Sequence, residues 1–152
     1  FYGIYDFLTR YEQHPNGAVV RGFLADRVMH ATPEQDPGLW DMASPVAQIH
    51  DDAPPFMLLH GELDSLAPLA DARTFAQRLR RSSRNPVVFA ELPGAEHGFD
   101  FMHSPRSEAA IDGVHRFLEW VRSRHLASRA VRSDATARES LTAVNAGAAE
   151  PA

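Results

Sequence analysis

An aspartate and a histidine that follow two successive apolar runs at similar distances can act as a proton-handling pair. Asp64 stands in His60-Gly61-Glu62-Leu63-Asp64-Ser65, and His97 in Leu92-Pro93-Gly94-Ala95-Glu96-His97-Gly98-Phe99. A carboxylate that accepts a hydrogen bond from one imidazole nitrogen fixes the tautomer. It also stabilises the imidazolium that forms when the other nitrogen takes a proton. Gly94 and Gly98 allow the second loop to turn tightly and carry His97 out of the strand line.

The elements around the two loops must bring them together. Phe56-Met57-Leu58-Leu59-His60 follows Pro54-Pro55 as an unbroken apolar run, the pattern of a parallel strand covered on both faces. Pro68 suits a first helical turn, and Leu69, Ala72, Ala76 and Leu79 mark one face of a helix running to about Arg81. Val87 to Leu92 reads as a second buried strand. Ser104 then caps a helix with Ile111, Val114, Phe117, Leu118 and Val121 as its stripe. Buried strands alternating with helices predict an α/β fold with a parallel sheet, whose sites lie beyond the carboxyl ends of the strands. Paired strands end about 4.8 Å apart, so Asp64 and His97 are expected to meet there.

Upstream, Phe1 to Tyr5 is aromatic and β-branched and reads as a strand. Residues 18–50 carry helical spacing at Val19, Val20, Phe23, Leu24 and Val28 and a short helical stretch near 37–44, and read as a cap or insertion. Residues 127–152 are rich in Ala, Ser, Arg, Thr and Gly. That is too little apolar surface to offset the entropy of ordering, which predicts a disordered tail beyond a domain of residues 1–126.

Glu62 and Asp71 compete with Asp64, and His103 with His97; Asp71 is expected to face solvent. His60 ends a buried strand and is read as packing or bonding locally, while His14, His30, His50, His115 and His125 are read as ordinary. Ser65 lacks a glycine-flanked elbow and reads as a loop serine. Trp40, Met42, Phe99 and Phe101 either line a pocket or pack in the core. No His-x-x-x-His pair and no cysteine occurs, which argues against a zinc site. No cofactor is implied, and no glycine-rich phosphate loop supports nucleotide binding. The net charge of −5 argues against nucleic acid, and no apolar run approaches a membrane span. The lack of cysteine leaves the compartment open.

These residues carry a resemblance. Tyr2-Gly3-Ile4-Tyr5-Asp6-Phe7, Ala43-Ser44-Pro45, Ala53-Pro54-Pro55-Phe56 running into His60-Gly61-Glu62-Leu63-Asp64, and Pro93-Gly94-Ala95-Glu96-His97-Gly98-Phe99 resemble the C-terminal part of an α/β-hydrolase. Within that fold they are similar to the esterase and lipase branch related to hormone-sensitive lipase and the microbial carboxylesterases. The resemblance covers about residues 1–126. It implies a small-molecule ester substrate and a Ser-Asp-His order, with Asp64 as acid and His97 as base.

The family's Gly-x-Ser-x-Gly elbow and His-Gly-Gly oxyanion segment do not occur in the chain. Phe1 to Arg10 has neither a charged head nor an apolar core. The sequence is therefore expected to begin inside a longer protein, with the serine upstream and the missing N-terminal half of the fold as its partner. On this reading the chain alone is inactive, and its strand Phe1 to Tyr5 offers an open edge for self-association. Two alternatives remain: a truncated chain without catalysis, and a peptidase or dienelactone-type hydrolase of the same fold.

Overall fold

Pro54-Pro55 and Pro86 each precede an apolar run, and both runs become strands: β1 (Phe56–Gly61) and β2 (Val87–Leu92). The structure, a computed structural model, describes residues 1–8 and 17–147, with side chains as far as Asp134. The two strands pair in parallel, from Phe56 opposite Val87 to Gly61 opposite Leu92. Among the described residues they form a two-stranded sheet. A parallel pair needs a crossover, and α3 (Leu69–Ser82) supplies it. Ala72, Phe75, Ala76 and Leu79 of α3 are buried at helical spacing, and the last three form one core with Ala53 and Leu58. Tyr5 stacks on Phe75 at 4.6 Å between ring centroids.

Helix α1 (Gly17–Leu24) runs into a wider turn over Ala25–Met29, which stops at His30 in the left-handed region (φ 55°). Helix α2 (Pro37–Ala43) starts with Pro in its first turn and with the Asp36 carboxylate accepting from the Leu39 amide at 2.9 Å. Trp40 and Leu24 form a second, smaller core, with Phe7, Leu8, Val20, Ala25 and Met29 packed against it.

The expected strand over Phe1–Tyr5 does not form. One ladder-like bond joins it to β1, from the Tyr2 amide to the Leu59 carbonyl at 3.0 Å. Tyr2 takes a positive φ of 31°, which ends extended geometry there. The segment therefore does not offer the regular open edge expected for self-association.

The last helix, α4 (Pro105–Gly147), is capped by Ser104, whose hydroxyl accepts from the Ser107 amide at 3.1 Å while the Ser107 hydroxyl accepts from the Ser104 amide at 2.9 Å. Helix α4 runs about 20 residues past the end expected near Leu126, where a tail without regular structure is expected. The physical reason is propensity. Alanine, arginine, glutamate and leucine are good helix formers, so residues 127–147 take the helix although 127–134 are all exposed. Residues 148–152 of the expected tail lie outside the described residues. The chain divides into two compact units, Phe1–Ala110 and Ile111–Ala152. Among the described residues no helix is long and apolar enough to cross a membrane.

Candidate active site

Because β1 and β2 end in register, the loops that leave Gly61 and Leu92 start side by side. Backbone bonds tie them, from the Glu62 amide to the Leu92 carbonyl (3.0 Å) and from the Leu63 amide to the Ala95 carbonyl (2.9 Å). The approach requires glycine at position 61, since a Cβ there would lie 2.4 Å from the Ala95 carbonyl oxygen. Two carboxylates brace the loops reciprocally. Glu62 Oε2 accepts from the Gly94 amide at 3.0 Å. Glu96 Oε2 accepts from the Ser65 amide at 3.1 Å and the Ser65 hydroxyl at 3.2 Å. Gly94 (φ 64°) and Gly98 (φ 73°) flank His97 in the left-handed region.

On this frame the Asp64 side chain is fully buried, and its two oxygens lie 3.1 and 3.0 Å from His97 Nδ1. Asp64 Oδ1 also accepts from the amides of Leu66 (3.0 Å) and Ala67 (2.6 Å). The carboxylate is thus oriented by its own loop before His97 is added. A carboxylate facing Nδ1 places the ring proton on Nδ1 and leaves Nε2 as a free base. Nε2 has no hydrogen-bond partner among the described residues, and about a quarter of the His97 side chain (27%) is exposed. The pair can therefore take a proton from a group presented to Nε2 and return it.

An aromatic wall holds the other side of the imidazole. The Tyr2 ring lies 4.3 Å from that of His97, and Phe99 meets Tyr2 edge-on at 5.7 Å. The Tyr2 hydroxyl donates to Asp100 Oδ1 at 2.8 Å. That bond to a carboxylate raises the Tyr2 phenol above its ordinary value, so it stays a donor.

The rival residues lie elsewhere. His103 pairs with Glu108 at 2.9 Å and is 86% exposed. Ser65 donates to Glu96. Glu62 braces the loop through Gly94. Asp71 is half-buried rather than facing solvent. Trp40 is a core residue, donating from Nε1 to the Ala31 carbonyl, while Met42 and Phe101 are exposed. His60 is fully buried, with Nε2 2.5 Å from the Ala67 carbonyl oxygen. Sequence reasoning missed Tyr2, Asp100 and Glu96. Only Glu96, one residue before His97, carried a local signal. No group of three His, Asp or Glu side chains is placed to hold a metal ion among the described residues.

Comparisons with known proteins give esterases. The BD-FAE family model matches residues 1–79. The esterase LipQ of Mycobacterium tuberculosis (strain ATCC 25618 / H37Rv) is 36% identical over 85% of this chain and 30% of its own length. The probable carboxylic ester hydrolase LipM of the same organism is 42% identical over 78% of this chain and 27% of its own. The chain therefore spans less than a third of the curated relatives it matches. A thermophilic esterase from Thermogutta terrifontis, Est2 with propionate bound, shares the fold over 59% of this chain and 34% of its own, with a TM-score of 0.53 at 24% identity.

Proposed function

The chain belongs to the BD-FAE family, within the esterases of the α/β-hydrolase fold, and from that premise we propose that Asp64 and His97 are the acid and the base of a Ser-Asp-His triad that hydrolyses carboxylic esters. The observation that carries the reading is the buried Asp64 carboxylate at 3.0 Å from His97 Nδ1, with Nε2 left open. The nucleophile comes from outside this chain, which has no glycine-flanked serine. As the serine oxygen attacks the ester carbonyl, its proton passes to His97 Nε2. The tetrahedral intermediate collapses, the alkoxide leaves with that proton, and an acyl-serine remains. Water then gives a proton to the same nitrogen, attacks the acyl carbonyl and releases the acid, and the serine recovers its proton. Asp64 stays ionised throughout and stabilises the imidazolium. No metal or cofactor enters these steps.

The test uses the complete protein that contains this chain, with a short p-nitrophenyl ester as substrate. His97→Ala is expected to lower kcat on the order of 10⁶-fold. Hydrolysis by that variant at the parental rate would remove the assignment. The isolated chain is expected to be inert, because it lacks the nucleophile. Turnover by the purified chain that disappears in His97→Ala would overturn that expectation.

A further inference from the structure

We propose that His60 is a positioning residue for the same reaction, a buried imidazole whose bond to the Ala67 carbonyl holds the turn that presents the Asp64 carboxylate to His97. The proposal rests on the triad reading above and deepens it. His60 closes β1, one residue before Gly61, and its side chain is wholly buried. Its Nε2 lies 2.5 Å from the Ala67 carbonyl oxygen and 3.3 Å from Asp64 Oδ2. Its Nδ1 is buried and has no hydrogen-bond partner.

These three facts assign the tautomer. A carbonyl oxygen only accepts, so the proton facing Ala67 sits on Nε2. A second proton on Nδ1 would be a buried donor with no acceptor, which is strongly disfavoured. The proton on Nε2 is therefore directed at the Ala67 carbonyl, with Asp64 Oδ2 packed beside it at 3.3 Å. That bond ties the end of β1 to the last residue of the turn 64–67. That turn already feeds the amides of Leu66 and Ala67 into Asp64 Oδ1. Oδ1 is thus held by its own loop, and Oδ2 lies against both His60 and His97.

An apolar side chain at position 60 would fill the same space at the strand end. It would leave the buried Ala67 carbonyl without its donor and loosen the turn whose Leu66 and Ala67 amides hold Asp64 Oδ1. The requirement for an N–H at this place separates positioning from packing. It also accounts for a polar ring at the buried end of an otherwise apolar strand.

The experiment uses the complete protein with four variants: His60→Leu, His60→Gln, Asp64→Asn and His97→Ala. A carboxylate misplaced by a fraction of an ångström is expected to lower kcat by about a hundredfold in His60→Leu, with KM unchanged. His60→Gln, whose side-chain amide offers an N–H near the same point, is expected to recover most of that loss. The downfield proton resonance of His97 Nδ1–H should move in His60→Leu and return in His60→Gln. The ring ¹⁵N shifts of His60 in the unaltered protein should report a protonated Nε2 and a bare Nδ1.

A His60→Leu variant within twofold of the parent, with the His97 resonance unmoved and Asp64→Asn impaired, overturns the proposal and leaves the triad standing. Full activity of both Asp64→Asn and His97→Ala overturns the triad and this role together. If His60→Leu does not fold, the ¹⁵N shifts decide: a protonated Nδ1 on His60 overturns the proposal.

Discussion

The two ends of the first unit are stabilised by opposite means. At the carboxyl edge of β1 and β2, the acid and histidine loops are held by hydrogen bonds: four to the carboxylates of Glu62 and Glu96 and the amide contacts across Gly61. In the helical segment from Gly17 to Gln48, two buried side chains, Leu24 and Trp40, hold together α1 and α2. That segment turns Val19, Phe23, Val28 and Met42 outward. Directional bonds set the orientation of a proton-transfer pair, whereas apolar burial contributes mainly stability through close packing. A change at the first region should therefore be read out as lost rate, and a change at the second as lost stability.

Asp64→Asn is the sharpest way to break that comparison after the loss of His97 itself. The amide is nearly isosteric and keeps one oxygen for the Leu66 and Ala67 amides. Its NH₂ facing His97 would favour the wrong tautomer. The expected loss in kcat is about 10⁴-fold, or about 5 kcal/mol of transition-state stabilisation. The midpoint of urea unfolding should stay close to that of the parent. A kcat within tenfold of the parent would show that the edge is a structural brace rather than a proton-transfer site.

The carboxyl edge was largely legible in the sequence, because both strands are apolar runs bounded by proline and glycine, and β2 spans the residues expected of it, although none of them is buried as expected. Consecutive parallel strands with a helix between them bring their following loops together, so the contact of Asp64 with His97 followed from topology. The bond from Tyr2 to Asp100 did not, since it joins residues 98 positions apart and no local pattern encodes it. Phe1 to Tyr5 was misread as a strand because β-branched and aromatic content marks burial as well as extension. Here Tyr5 is half-buried, stacked on Phe75 without a regular ladder. Helix α4 exceeded its expected length because weighing apolar surface ignores intrinsic propensity.

Trp40→Ala probes the second region. It removes one of the two buried side chains in that core, together with the bond from Nε1 to the Ala31 carbonyl. Emptying a site of that size costs about 3–5 kcal/mol. Urea unfolding should report a loss in that range, while the His97 Nδ1–H resonance stays in place under conditions where the variant is folded. Movement of that resonance would mean that the helical segment supports the edge directly, and the contrast between the two regions would fail.

The smallest effect is expected at the outer face of α1. Val19 and Phe23 stand four residues apart, on one side of the helix, and Phe23 is 60% exposed. Phe23→Ser removes apolar surface that water already reaches, so unfolding should shift by no more than about 0.5 kcal/mol. The measurement belongs in the complete protein, where it tests more than the side chain. A loss above about 2 kcal/mol, the range for truncating a buried aromatic, would show that another part of that protein covers this face. The second region would then be half of a larger core rather than a small one closed on Trp40, and the two ends of the unit would differ less than their hydrogen bonds suggest.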